Sequence, residues 1–231
     1  MSMDTPSSTQ TPYIVQSQRL RLEPLNLDSH LQECHLLMSD PQCTQWSTRA
    51  PYTLQQTTDW LSSTTASETS HVWAIMLLPT SEQDTMNPKM IGLIAIHPNT
   101  NFPAGGLAYR SDPAYWGRGY MTEAVRLFLC MFWELEGLSL SLSRPFQISN
   151  LHPHHIHNTT DSLLKPPEFK SFNTLGAGVD PENHGSRRVL EKSGFVKGEL
   201  RKEVYDRAVN RGKGGRKSDL LILWVQRPRG E

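Results

Sequence analysis

Two kinds of hydrophobic pattern divide the chain into predicted elements. Charged residues and leucines alternate along residues 19–24, which predicts a half-buried first strand. Apolar runs at 72–78 and 90–96 predict two further strands, and the polar stretch between them at 79–88 predicts a hairpin loop. Beyond residue 120 the apolar positions change to helical spacing, which predicts a core-facing helix with the stripe Met121, Ala124, Val125, Phe128, Leu129, Phe132 and Trp133.

Residues that begin or end helices mark three more boundaries. Asp28 is the expected N-cap of a helix that continues to residue 38. Thr53 and Gln56 have the spacing of a capping box, which predicts a second helix. Gly194 is expected to end a helix over 185–193 in the left-handed conformation.

Four more strands are predicted at 106–111, 175–179, 196–204 and 219–225. The element order is then one strand, two helices, three strands, a helix, a strand, a helix and two strands. This order indicates an α/β domain whose sheet is largely antiparallel in its N-terminal half and contains one central pair of parallel strands.

Both ends of the chain and one internal segment lack these patterns. Residues 1–12 are rich in Ser, Thr and Gln and are expected to form a disordered tail, and residues 227–231 form a second, short tail. Residues 143–173 hold four prolines and a run of histidines without periodicity, which predicts an irregular insertion. The predicted single domain therefore spans 13–226 and is interrupted by this insertion.

Charge and composition narrow the class of protein. Lys and Arg together number 23, as do Asp and Glu, so the chain lacks the basic excess typical of nucleic-acid or membrane-surface proteins. Its most apolar stretch is too short to span a bilayer, and residues 1–11 lack the features of a signal peptide. The three cysteines form no Cys-x-x-Cys pair, which favours reduced thiols. We therefore expect a cytoplasmic protein with no membrane or nucleic-acid partner.

The strongest chemical signal is a glycine-rich turn between the strand at 106–111 and the helix that follows. Gly117 and Gly119 let the backbone approach an anion, Arg118 adds a positive charge and Thr122 adds a hydroxyl group. The N–H groups at the start of a helix lack internal partners and carry partial positive charge. The pattern predicts a phosphate site, and a simple tight turn is the alternative.

Two other phosphate motifs are excluded by the residues that follow Gly119. A Walker A loop requires Lys and then Ser or Thr, whereas Tyr120 and Met121 stand here. A dinucleotide-binding fingerprint requires a third small residue where Thr122 stands, and it belongs to an early βαβ unit. A nucleotide transferase is accordingly a weak alternative.

Two longer motifs, in this order, resemble the GCN5-related N-acetyltransferase (GNAT) superfamily: DPAYWGRGYMTEA at 112–124 and DPENHGSRRVLEKSGF at 180–195. The branch they resemble is that of the ribosomal-protein N-terminal acetyltransferases, whose opening strand is similar to residues 19–24. The resemblance covers residues 15–140 and 174–226. It implies a mixed, mostly antiparallel sheet with a splayed central parallel pair, flanked by helices. It also implies acetyl-CoA as cosubstrate, with no metal.

The resemblance assigns expected roles to individual residues. Backbone N–H groups of the turn would bind the coenzyme A pyrophosphate, and they belong to Gly117, Arg118, Gly119, Tyr120, Met121 and Thr122. The strand from Tyr109 to Ser111 would run beside the pantetheine arm and direct a backbone N–H at the thioester oxygen. Asn183 would contact the same arm. Ser186 would lie near the leaving thiolate, with an N-cap of the following helix as the alternative role.

Two departures from the family pattern concern the turn and the base. Trp116 is usual in the resembled branch, but Met121 stands where Gly or Ala is expected and would crowd the turn. The Glu and Tyr that many members use in catalysis correspond to Gly178 and Leu190, neither of which can transfer a proton. The general base is therefore unassigned, with the candidates Asp180, Glu199, Glu203 and Tyr205.

These observations predict an N-acetyltransferase that transfers an acetyl group from acetyl-CoA to a primary amine by direct attack on the thioester. The acceptor is a small molecule or a protein N-terminus, and the enzyme is a monomer or a homodimer. A CoA-binding or protein-interaction module with impaired catalysis is the alternative. The histidines of residues 152–157 are expected to lie in a solvated loop rather than in a metal site. Glu123 is expected to complement the helix dipole, and the basic segment 210–217 to form a hairpin loop.

Overall fold

The computed structural model describes residues 15–67, 71–79, 87–99, 102–133, 173–210 and 216–228. They form one eight-stranded sheet with helices on both faces. The strands are β1 (Val15–Gln16), β2 (Leu20–Pro24), β3 (His71–Leu77), β4 (Lys89–Asn99), β5 (Phe102–Ser111), β6 (Thr174–Val179), β7 (Val196–Tyr205) and β8 (Ser218–Gln226). The helices are α1 (Leu27–Ser39), α2 (Pro41–Thr44), α3 (Leu54–Thr65), α4 (Tyr120–Trp133) and α5 (His184–Lys192).

The strands lie in the order β1-β2-β3-β4-β5-β6-β8-β7. Every neighbouring pair is antiparallel except β5 and β6, which are parallel. In the described part of the chain, the parallel pair is joined in register at one position, Gly106 opposite Gly176. Beyond that position towards Ser111 the two strands have no paired residues. The predicted mixed sheet with a splayed parallel pair is therefore confirmed.

Gly176 allows the two parallel strands to meet at this one position. A Cβ atom on Gly176 would lie only 2.0 Å from Cδ1 of Phe102, because the Phe102 ring covers the glycine. The ring also meets Trp224 of β8 edge to face, with 5.1 Å between ring centroids. This aromatic pair packs across the sheet at the point from which β5 and β6 diverge.

Each face of the sheet carries its own hydrophobic core. Helices α4 and α5 cover one face, and α4 is buried from Glu123 to Trp133 because its residues are apolar almost all round. Helices α1 and α3 cover the other face over β3 and β4. The predicted stripe of α4 lies in the first core, as expected. The chain therefore has the layered arrangement that the element order predicted.

Three helix boundaries test the sequence predictions. The capping box is confirmed, because Thr53 Oγ1 accepts from Gln56 N at 3.3 Å and Gln56 Oε1 accepts from Thr53 N at 2.9 Å. Gly194 is confirmed in the left-handed region, with φ of 89°. The N-cap of α1 was placed wrongly: it is Asn26, whose Oδ1 accepts from Asp28 N at 2.8 Å. Asp28 instead occupies the first turn, where its charge complements the helix dipole.

Several predictions concern residues outside the described ranges. They include the tail at 1–12, nearly all of the insertion at 143–173 with its histidines, and most of the loops at 79–88 and 210–217. These segments and the domain limits stay predictions. Among the described helices, none is long and apolar enough to cross a membrane.

Candidate functional site

A cleft of about 620 Å³ opens where β5 and β6 diverge. Its walls are the end of β5, the turn before α4, the start of α5, and α2 with the residues after it. The cleft brings together nine of the predicted site residues, Tyr109, Ser111, Gly117, Gly119, Tyr120, Met121, Thr122, Asn183 and Ser186. Arg118 is not among the lining residues, and its guanidinium carbon lies 5.8 Å from the centroid of the Tyr115 ring.

The glycine turn has the backbone conformation that an anion site requires. Gly117 has φ of 74° and Gly119 has φ of 82°, both in the left-handed region that residues with a side chain rarely adopt. Glu123 N donates to Gly119 O at 3.1 Å, and this is the first hydrogen bond along the helix. The N–H groups of residues 120–122 precede that bond and lie at the positive end of the α4 dipole. The turn can therefore bind phosphate oxygens through its backbone.

An ion pair between the buried Glu123 and the partly exposed Arg19 holds this turn against the segment that joins β1 and β2. Glu123 is almost fully buried and accepts hydrogen bonds from Ser17 Oγ at 2.5 Å, from Arg19 Nε at 2.9 Å and from Arg19 Nη2. The Arg19 guanidinium also covers the ring of Tyr120, 4.7 Å from its centroid. Glu123 stands in the first helical turn as predicted, and the structure adds a link from α4 to the turn between β1 and β2 that the sequence did not indicate.

The end of β5 is fixed in a single orientation. The Ser111 carbonyl accepts from Trp116 Nε1 at 3.0 Å and from Cys43 Sγ at 3.3 Å. Asp112 donates its backbone N–H to Ile91 O of β4 at 3.0 Å. Because backbone groups alternate in direction along an antiparallel pair, the N–H of Ser111 points away from β4, towards the diverging β6. A backbone donor of β5 therefore faces the splay.

The start of α5 holds both of the predicted polar residues. Asn183 is the N-cap, and its Oδ1 accepts from Ser186 N at 3.0 Å. The alternative role of Ser186 as N-cap is therefore wrong, because Asn183 already fills that position. The Ser186 hydroxyl instead lies 2.7 Å from the phenol oxygen of Tyr109, which also donates to Ser186 O at 3.0 Å. Burial raises the pKa of Tyr109, so its phenol stays protonated.

The two positions that carry catalytic residues in many relatives are unsuited to catalysis here. A side chain at Gly178 would contact Leu220 of β8, with its Cβ 3.2 Å from Cδ1 of that leucine. Leu190, on α5, has its side chain buried in the core. Both positions lie outside the lining of the cleft.

Two of the four candidate bases, the buried Asp180 and the partly buried Tyr205, are hydrogen-bonded to each other beside the cleft. The side chain of Asp180 is 1% exposed and accepts from Glu182 N at 2.9 Å, Arg207 Nε at 2.9 Å and the hydroxyl of Tyr205. Burial, and then the hydrogen bond to Asp180, raise the pKa of Tyr205 to about 12. Both oxygens of the Asp180 carboxylate are therefore occupied by donors of the protein itself.

The other two candidate bases lie at the surface. Glu199 forms an ion pair with Arg201 at 2.9 Å, and Glu203 forms one with Arg216. Neither glutamate lines the cleft. The structure therefore removes support from both as bases.

Several lining residues were missed by sequence reasoning. Arg207 joins two of them: its guanidinium lies 4.4 Å from the centroid of the Trp46 ring and 2.7 Å from Glu182 Oε2. Arg188 and Lys192, one turn apart on α5, add positive charge to the cleft. No spacing rule links residues this distant in the chain, so only the fold could identify them.

The cysteines are protonated thiols. Burial raises the pKa of each to about 12, and for Cys43 the charge of Asp40 adds to the effect. Cys130 lies within buried α4, as the packing role predicted. Within the described ranges, no group of three or more His, Cys, Asp or Glu residues is arranged to hold a metal ion.

Comparisons with known proteins agree on the class. The family model described as the acetyltransferase (GNAT) domain matches residues 19–196. A GNAT-family acetyltransferase from Bacillus anthracis superposes with a TM-score of 0.64 at 16% identity, covering 92% of this chain and 98% of that one. Among curated proteins, no sequence matches the chain.

Two further solved structures share the fold at low identity. Spermidine N-acetyltransferase from Vibrio cholerae, solved with CoA and spermine, has a TM-score of 0.61 at 13% identity. The match covers 90% of this chain and 95% of that chain. The Salmonella typhimurium enzyme that modifies the N-terminal serine of ribosomal protein L7/L12 has a TM-score of 0.62 at 12% identity, with coverages of 93% and 99%. The GNAT family model matches well over half of this chain, and the chain therefore belongs to the GNAT acetyltransferases.

Proposed function

We propose that this protein transfers an acetyl group from acetyl-CoA to the primary amine of a small molecule or a protein N-terminus. The observation that carries the proposal is the position of the glycine turn, at the mouth of a cleft between two diverging parallel strands. The turn offers backbone donors to phosphate, and the splay offers room for an extended arm.

The residues of the cleft fit acetyl-CoA. Donors at residues 117–122 would bind the pyrophosphate, and Arg188 and Lys192 would add attraction for its negative charge. The N–H of Ser111 faces the splay and would hydrogen-bond the arm or its thioester. Met121 is one of the lining residues, and it also packs against the core; its unbranched side chain can adapt to a bound ligand. Asn183, with its Oδ1 used as a helix cap, would donate from its amide nitrogen.

The reaction requires a neutral amine that attacks the thioester carbon and a thiolate that leaves. Acetyl-CoA, when bound, would supply the activated acetyl group as its thioester. The protein orients it, and a backbone N–H aimed at the thioester oxygen would stabilise the negative charge that develops there; the loss of one such donor typically lowers the rate by about 10²–10³. Ser186 would lie near the sulfur.

The proposed acceptor is a primary amine, carried by a small molecule or by a protein N-terminus. The solved relatives include enzymes described as acting on spermidine and on a ribosomal protein N-terminus. Trp46 and Glu182 line the same cleft and offer an aromatic face and a carboxylate to an amine. Both acceptor classes are therefore tested together.

A second candidate function is a CoA-binding or interaction module that has lost catalysis. Gly178 and Leu190, which replace the usual Glu and Tyr and lie outside the cleft, favour this candidate.

Thiol release separates the two candidates. The full chain is incubated with acetyl-CoA and, in turn, an N-terminal-serine tetrapeptide, spermidine and benzylamine, and the free thiol is measured. We expect amine-dependent release and an acetylated amine by mass spectrometry. Binding of acetyl-CoA by calorimetry without release from any amine would favour the module. No binding at millimolar acetyl-CoA would refute both the acetyltransferase and a CoA-binding module.

A further inference from the structure

A tyrosine and a serine form a bridge across the cleft. Tyr109 lies on β5, three residues beyond the pairing of Gly106 with Gly176. Ser186 lies on α5, which follows β6. Their oxygen atoms are 2.7 Å apart, so the bridge joins the two sides of the cleft at the place where the strands have separated.

The protons of the bridge can be counted. A phenol and a serine hydroxyl each carry one proton. The Tyr109 hydroxyl lies within reach of two acceptors, the Ser186 carbonyl at 3.0 Å and Ser186 Oγ at 2.7 Å. If the phenol donates to the carbonyl, the Ser186 hydroxyl can donate to the phenol oxygen. If the phenol donates to Oγ, the Ser186 hydroxyl is released to donate into the cleft.

We propose that Tyr109 is a positioning residue that lets the Ser186 hydroxyl reverse its hydrogen bond, from Tyr109 to the leaving sulfur of coenzyme A, without movement of any heavy atom. The inference rests on the proposed acetyltransferase function and deepens it. In both arrangements, each of the two hydroxyl protons has an acceptor. The exchange needs only rotation of two hydroxyl groups.

The proton balance of the step closes within the cleft. A neutral amine attacks the acetyl carbon, so that a C–N bond forms and the C–S bond breaks with its electron pair passing to sulfur. Ser186 gives its proton to sulfur and receives one from the attacking nitrogen through the same oxygen. Tyr109 keeps its own proton and moves its hydrogen bond from the Ser186 carbonyl to Oγ. The products are the amide and the free thiol.

Two physical features suit Tyr109 to this role. Burial raises the pKa of the phenol, so it remains a donor and does not compete with Ser186 for the transferred proton. A hydrogen bond donated to Oγ polarises the serine hydroxyl and makes its proton easier to give away. The bridge also accounts for turnover without the Glu and Tyr of many relatives, because Ser186 carries the proton directly from nitrogen to sulfur.

Substitution of the two residues, singly and together, tests the inference in the thiol-release assay with the N-terminal-serine tetrapeptide and spermidine. Tyr109→Phe keeps the ring and removes the hydroxyl, and we expect kcat to fall about five- to tenfold, which corresponds to one hydrogen bond. We expect Ser186→Ala to lower kcat about 100-fold, as for the loss of a general acid. KM for acetyl-CoA should stay within about twofold in both variants.

The double variant distinguishes positioning from a structural role. Because Tyr109 acts through Ser186, Tyr109→Phe should have no further effect on kcat in the Ser186→Ala background. Tyr52→Phe is a matched control, since Tyr52 lies outside the cleft and its hydroxyl accepts from Arg49 Nη1 at 2.6 Å. Its kcat should be unchanged.

Four results in the variants would overturn the inference. They are additive losses in the double variant, an unaffected kcat in Tyr109→Phe, a Tyr109→Phe loss that appears in KM for acetyl-CoA, and an unchanged kcat in Ser186→Ala. The last result applies even if Tyr109→Phe fails to fold, which melting curves would show. A wild-type chain without turnover on any amine overturns this inference together with the proposed function, whereas a wild type with turnover and an unaffected Tyr109→Phe overturns this inference alone.

Discussion

At the scale of single residues, the site depends on two glycines with positive φ. Gly117 and Gly119 turn the backbone so that the N–H groups before the first hydrogen bond of α4 face the cleft. A Cβ atom at Gly119 would meet nothing closer than Arg19 Nη2, at 4.0 Å. The space around Gly119 therefore does not limit which residue can stand there. Its positive φ and the negative charge of a bound pyrophosphate do.

Gly119→Asp should abolish binding of acetyl-CoA. The carboxylate would stand against the pyrophosphate, and because like charges in contact cost several kcal/mol we expect Kd to rise about 100-fold or more by calorimetry. Gly119→Asn is the matched control, since asparagine has the same size and tolerates positive φ better than most residues. Equal affinities of the two variants would show that the pyrophosphate does not bind at this turn.

At the scale of elements, the cleft exists because β5 and β6 pair at one position and then diverge. The Phe102 ring lies over Gly176 at that position and against Trp224 of β8. A side chain at Gly176 would displace the ring and thereby shift the strands that form the cleft.

Gly176→Ala should destabilise the fold. The added methyl group would overlap the Phe102 ring, and overpacking of this kind costs about 1–3 kcal/mol, measured as the free energy of unfolding in urea. The cost should be smaller in a Phe102→Leu background, because the smaller side chain leaves room for the methyl group. An equal cost in both backgrounds would contradict the packing explanation.

At the scale of the whole molecule, the cleft draws its walls from distant parts of the chain. Trp46 lies after α2, Tyr109 on β5, and Lys192 at the end of α5. Arg207 links Trp46 with Asp180, and Arg126 Nη2 of α4 donates to Lys192 O at 2.6 Å. A ligand that spans this cleft would add contacts between segments that are distant in the chain.

Acetyl-CoA should therefore raise the melting temperature of the full chain. At a concentration of about 100 Kd a ligand that binds only the folded state adds about 2.7 kcal/mol. For a domain of this size we expect an increase in Tm of about 5–10 °C by differential scanning fluorimetry. ADP, which lacks the pantetheine arm, should give a smaller increase at the same concentration. An equal increase with ADP would mean that the splay contributes nothing to binding.

Sequence reasoning identified the elements and the turn because their signals are local. The stripe of α4, the capping box at Thr53 and the left-handed Gly194 each depend on residues within a few positions of one another. It failed at the N-cap of α1, where Asn26 and Asp28 carry equally suitable side chains two residues apart. It also left Ser186 with two roles, although the N-cap is Asn183, which lies only three residues earlier; the contact of Ser186 with Tyr109, 77 residues earlier in the chain, had no local signal.

The sequence by itself determined the α/β class, the order of elements and the glycine turn that predicts a phosphate site, because hydrophobic period and backbone freedom are properties of short segments. Only the tertiary structure decided which side chains share the cleft. Asp180 is a buried partner of Arg207 and Tyr205. Glu199 and Glu203 lie at the surface. The hydroxyl groups of Ser186 and Tyr109 are in contact across the cleft. Such contacts form when strands and helices from distant segments pack together, so they cannot be predicted from the spacing of residues along the chain.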